Sequence, residues 1–207
     1  MIIGPLPKEY FIFPDGTTEE RIFIGNDIAL TETSLRDMQP PTEEQAKKQY
    51  RAQFLVTGAS RTIDILGYTG NDQFGLSARG QTGLQWAVNN YNRLNITLNF
   101  RLTYGTNFQD ADMVVYDNSV NNPGITEGVT GFPSSQGRPN KFIQIYNLDG
   151  SSNNVNELVV GHEMGHSIGF GHTDWFDRLS CPRAFQGDEG GFAQQIPGTP
   201  SGRDNSS

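Results

Sequence analysis

Residues 155–172 read Val155-Asn-Glu-Leu-Val-Val-Gly-His162-Glu163-Met-Gly-His166-Ser-Ile-Gly169-Phe-Gly-His172. Asn154 can cap a helix here, with Glu157 three residues on, a capping-box arrangement. His162 and His166 are four apart, so a helix stacks their imidazoles on one face. Two such nitrogens can take two corners of a tetrahedron around a metal ion, with bonds of about 2.0–2.1 Å. Glu163 is turned from His162 by about 100°. That offset keeps it out of the ligand set and within reach of a water on the metal, where a general base is needed. Gly169 can adopt φ > 0 at little cost and so ends the helix. The chain then turns, and His172 can swing back as a third ligand. Three imidazoles with one open position make the catalytic form of a zinc site, whereas four protein ligands make the closed structural form.

His-Glu-x-x-His alone is a weak signal, and the added Gly169 and His172 make it specific. The chain has three histidines, all within this stretch, whereas core or surface histidines would be scattered. Gly161 and Gly165 each cost a helix up to about 1 kcal/mol relative to Ala. Either a close packing contact or the approach of the sheet and the site explains them.

Upstream, Arg61–Thr69 predicts a strand, 70–80 a loop and Gly83–Leu94 an amphipathic helix. Leu84, Ala87, Val88, Tyr91 and Leu94 carry its apolar stripe. Ile96 to Tyr104 alternates apolar and polar, a half-buried strand. Met113–Tyr116 suits a central strand, Gly128–Phe132 an edge strand stopped by Pro133, and Lys141–Asn147 a further strand. Residues 1–40 hold strand candidates at Phe11–Phe13 and Arg21–Ile24, with a turn at Pro14-Asp-Gly16. Thr42 and Gln45 predict a capped helix whose face is Ala46, Tyr50 and Phe54, and Gly58-Ala-Ser60 reads as a joint.

The length, 207 residues, suits one domain plus an appendage. The net charge of −8, with no basic cluster longer than Lys47-Lys48, speaks against nucleic acid and anionic lipid as partners. No apolar run approaches the ~18–20 residues of a membrane span. The N-terminus lacks the features of a signal peptide. A single cysteine, Cys181, excludes an intrachain disulfide and a multi-cysteine metal site. It reads as a small buried residue rather than a redox group.

The motif from His162 to His172 resembles the zinc motif of the metzincin clan of metallopeptidases. Gly171 to Phe176, with Ile196-Pro-Gly-Thr-Pro200, resembles the HEIGH-type, M57-like family related to astacins. The resemblance implies an α+β, metzincin/zincin-like fold: a twisted mixed sheet with two long helices and the zinc site on the second. It implies Zn2+, a protein or peptide substrate and a location outside the cytoplasm. The family also places a methionine-containing turn after the third histidine, but the last methionine here is Met164. The C-terminal subdomain is accordingly expected to be truncated. Phe23-Ile-Gly-Asn-Asp27-Ile28 resembles the stretch of astacin pro-segments whose aspartate ligates the zinc, with Asn26 as an extra or exchanged residue. Asp27 is thus a candidate latency ligand, the alternative being an ordinary turn aspartate. A cysteine switch is excluded, because residues 1–60 contain no cysteine.

The resulting expectation is a zinc endopeptidase with His162, His166 and His172 as ligands and Glu163 as general base. Residues 1–58 form a pro-like segment lying across the cleft, and 59–207 an incomplete catalytic domain. A substrate aligns antiparallel to the edge strand at 128–132. Two alternatives stay open: a zinc-binding but inactive module, and a metal hydrolase acting on a non-peptide substrate. Asp174 is either an orienting residue beside the ligands or a turn residue, and Trp86 and Trp175 read as core or rim packing rather than substrate stacking. Asn95-Ile-Thr97 and Asn205-Ser-Ser207 are glycosylation sequons. Oligomeric state is not legible.

Overall fold

A parallel strand pair needs a crossover, and the long apolar-striped run after residue 70 provides one. Strand β5 (Arg61–Tyr68) leads into helix α2 (Ala78–Arg93), which returns to strand β6 (Leu98–Gly105), parallel to β5. Strands β7 (Met113–Asp117) and β9 (Phe142–Tyr146) extend the sheet in parallel, and β8 (Glu127–Val129) closes one edge antiparallel to β9. The order across the sheet is β6-β5-β7-β9-β8. Helix α3 (Asn153–Ile168) follows β9 and packs beside α2. The structure is a computed structural model, described over residues 7–25, 27–38, 50–58, 61–122, 127–172 and 194–195. The fold is α+β with a mixed sheet, as expected, and β7 is its central strand.

Both faces of this sheet are apolar, because the strands are buried on both sides. Ile63, Ile65, Met113, Val115, Ile143 and Ile145 meet Leu84 and Val88 of α2 and Val160, Met164 and Ile168 of α3. The alternate residues, among them Leu66, Val114, Tyr116 and Tyr146, face the other way, onto Phe11 and Ala29. That second cover is N-terminal. Strands β1 (Lys8–Ile12), β2 (Thr18–Ile24) and β3 (Ile28–Leu30) form an antiparallel meander. The turn between the first two has Gly16 at φ +80°, with Asp15 accepting from the Thr17 amide at 3.0 Å. Phe13 packs edge-on to Phe142, and the Tyr116 hydroxyl and Gln144 amide both donate to the Ile12 carbonyl, at 2.6 and 2.9 Å. Helix α1 (Glu32–Asp37) follows, capped by Thr31.

Several boundaries differ from the sequence expectation. α2 starts at Ala78, capped by Ser77, so 78–80 is helix rather than loop. Its glycines, which look like loop signals, admit a neighbour: a Cβ on Gly83 would meet the Asn156 Cβ of α3 at 2.6 Å. α3 is capped by Ser152, two residues ahead of Asn154. Glu157 contacts Asn90 of α2 instead of closing a capping box. β6 is an edge strand, and of its expected apolar face Phe100 is buried while Ile96 and Tyr104 are exposed. The helix expected from Thr42 to Phe54 does not reach its last turn. Strand β4 (Tyr50–Arg51) pairs antiparallel with β10 (Gln194–Gln195), and residues 39–49 lie outside the described residues. No helix among the described residues is long and apolar enough to cross a membrane.

Candidate metal centre

α3 carries His162 and His166 on successive turns, and their Nε2 atoms lie 2.9 Å apart. The helix stops at Gly169, whose φ of +115° turns the chain sharply. The Gly169 and Phe170 amides both donate to the Gly165 carbonyl, at 3.0 and 2.9 Å. This closes the helix end and brings His172 back. Its Nε2 lies 3.2 Å from that of His166 and 3.2 Å from that of His162. The third side of the site comes from the N-terminal meander. Asp27 sits in the turn between β2 and β3, two residues after Gly25 at φ +63°. Its Oδ2 is 2.9 Å from His172 Nε2, 3.4 Å from His162 Nε2 and 3.7 Å from His166 Nε2.

Four donor atoms therefore enclose one point, with edges of 2.9–3.7 Å. A regular tetrahedron with bonds of about 2.0–2.1 Å has edges of about 3.3–3.4 Å. The donor set fits a divalent ion such as zinc, since neutral imidazole and carboxylate are both its ligands. His166 Nδ1 is 2.7 Å from the Phe170 carbonyl, which can only accept. The proton is thereby assigned to Nδ1, and Nε2 faces the centre with its lone pair, an outer contact common at ligating histidines. Burial pushes the His166 imidazole below its ordinary value, with Asp27 opposing, so the neutral form is favoured. Burial alone would raise the Asp27 carboxyl, but the three facing imidazoles hold it well below the usual carboxylate range. His162 is the open side of the centre, with 42% of its side chain exposed, against 3% for His166.

A scan against family models matches residues 22–207 to the dual-action HEIGH metallo-peptidases, Peptidase M57. The chain belongs to this family. No curated protein matches it. Membership makes the chain a metallopeptidase and implies zinc as the cofactor, and the cluster of Asp27 with the three histidines could hold that ion.

Other parts of this HEIGH peptidase frame the centre. Glu163 is buried, and its carboxylate lies under β8: a Cβ on Gly128 would come within 2.8 Å of its Cδ. The ring of Phe132 meets His166 edge-on, at 5.8 Å between centroids. The Ser167 hydroxyl donates to the Asn140 carbonyl at 2.6 Å, joining the helix end to the loop before β9. Gly165 stands close to α2, a packing contact, whereas Gly161 has ordinary room there, its nearest neighbour being Ala87 Cβ at 3.8 Å. Tyr91 donates to the Gly161 carbonyl at 2.9 Å, and its hydroxyl lies 3.0 Å from where a Gly165 Cβ would be. Burial pushes the Tyr91 phenol up to about 12, so it stays a donor. Trp86 lies at the surface. Asp174, Trp175, Cys181 and residues 196–200 lie outside the described residues. Gly128 and Phe132 are legible as edge-strand residues, but not their contacts with Glu163 and His166, nor the role of the Phe170 carbonyl. Of these, only the carbonyl's role had a signal, since a helix-ending glycine leaves nearby carbonyls to find donors.

Proposed function

We propose that the chain is a zinc-dependent endopeptidase of the metzincin type, held latent by its own N-terminal meander. The observation that carries this reading is the near-tetrahedron of three Nε2 atoms and one carboxylate oxygen, with a buried glutamate next in sequence to its first histidine. His162, His166 and His172 would hold the zinc, which when bound supplies a Lewis acid for water and for the scissile carbonyl. Glu163 would accept a proton during attack and return it to the leaving amine. Asp27 takes the corner that an open site leaves for water.

The backbone around Asp27 supports the same reading. Thr130 donates to the Asp27 carbonyl at 2.9 Å, and its own carbonyl accepts from the Ala29 amide at 2.7 Å. These are the groups that an extended peptide would use at the edge. Residues 28 and 130 pair in parallel, opposite to the antiparallel run expected of a substrate. The strip therefore meets the edge at this one bridge, in the wrong sense for cleavage.

Four protein donors also favour a second reading, a closed and inert zinc module. Asp27→Ala separates the two. Latency predicts that full-length D27A cleaves casein while the unaltered chain does not. D27A that binds zinc yet cleaves neither casein nor a short peptide amide, which needs little of the edge, favours the inert module. Adding Glu163→Gln to D27A is expected to keep the zinc and lower cleavage by about 10²–10⁴-fold.

A further inference from the structure

We infer that residues 51–57 are a strap that positions the metal ligands, and so belong to the working part of the enzyme rather than to its removable segment. This rests on the zinc-peptidase reading above and redraws the boundary placed at residue 58. Arg51 pairs antiparallel with Phe170 on one side and with Gln194 on the other. The next amide, that of the buried Ala52, donates to the Gly169 carbonyl at 2.7 Å. These contacts grip the two residues at which the chain leaves the zinc helix. Phe170 is also the residue whose carbonyl takes the His166 Nδ1 proton, at 2.7 Å. His172 stands two residues further on.

The strap is itself held. Arg51 Nη1 curls back to donate to the Ala52 and Gln53 carbonyls, at 3.1 and 3.2 Å. The Phe54 carbonyl and the Leu55 side chain crowd Gly169, 3.1 and 2.6 Å from where its Cβ would be. At the far end Thr57 donates to the Gly137 carbonyl at 3.2 Å, which also accepts from Arg61 at 2.8 Å. The strap thus runs fixed at both ends across the bend that sets the angle between His166 and His172. Asp27 and the strap lie in the same N-terminal region and do opposite jobs: one fills the centre, the other shapes it.

Zinc affinity of the full-length chain, read by competition with a chromogenic chelator, tests this. Ala52→Pro removes the donor to Gly169, and Arg51→Ala loosens the strap while keeping every backbone donor. A52P is expected to weaken zinc binding by about ten- to a hundredfold, the usual range for partners that orient ligands, with R51A in between. Cobalt(II) substituted for zinc is expected to show altered visible bands in both, which loss of stability alone would not produce. Should A52P fail to fold, R51A decides. Unchanged affinity and cobalt bands in the folded variants, with binding abolished in His166→Ala, would overturn the strap. H166A binding zinc like the unaltered chain would overturn the zinc reading and the strap with it.

Discussion

At the residue scale, Gly128 makes room for Glu163, the proposed general base. Gly128 has no positive φ, so only space forbids a side chain there. Gly128→Ala is expected to push the Glu163 carboxylate aside while leaving the three imidazoles in place. Measured in the Asp27→Ala background, G128A should keep its zinc and lose at least about tenfold in cleavage, since general-base action depends on hydrogen-bond reach. The histidines were legible because helical periodicity fixes where residues four apart point. Gly169 was legible because few residues accept its φ of +115°. Asp27 was reachable only through resemblance, since nothing local in the sequence brings residue 27 to residue 162. The carbonyl of Phe170 illustrates a harder limit: every residue has one, and only the fold decides which carbonyl meets an imidazole.

At the scale of elements, α2 and α3 are joined through glycines that behave differently. Gly83→Ala would place a Cβ 2.6 Å from the Asn156 Cβ and 3.0 Å from its backbone carbon. Such overpacking against backbone costs about 1–3 kcal/mol, and calorimetry should show a lower unfolding temperature. Gly161→Ala meets Ala87 Cβ at 3.8 Å, ordinary contact. It should stabilise by up to about 1 kcal/mol, because Ala is the better helix former. A fall in stability for G161A as large as for G83A would contradict this account of the interface. Glycines also hide the first turn of α2 from the sequence. Gly80 and Gly83 weaken helix propensity locally, and contact with a neighbour that sequence does not show restores it. β3, at three residues, is too short for periodicity to reveal.

For the whole molecule, the decisive feature is a sheet covered on both sides. One cover is the helix pair. The other is the N-terminal meander, where Phe11, Phe13 and Ala29 pack on the outward aromatic residues. A fully buried Phe or Leu contributes about 1.5–3 kcal/mol, so several of them hold the meander without help from the chain that connects it. A full-length chain bearing an engineered protease site between residues 38 and 50, folded and then cut, should therefore elute as one particle in size exclusion. Separation of the fragments without denaturant would show that this face contributes little. The element order from 61 to 170 was legible from periodicity, but this second cover was not, because aromatic residues in short strands do not announce which sheet they meet.

On the latency reading, the meander's grip on the sheet changes how Asp27 would count as a ligand. Anchored through the remainder of its hairpin, the carboxylate meets the imidazoles as a tethered group, at an effective concentration on the order of millimolar or higher. Dissolved acetate or citrate cannot match that by mass action at trace levels, and dilution of the protein does nothing to weaken it.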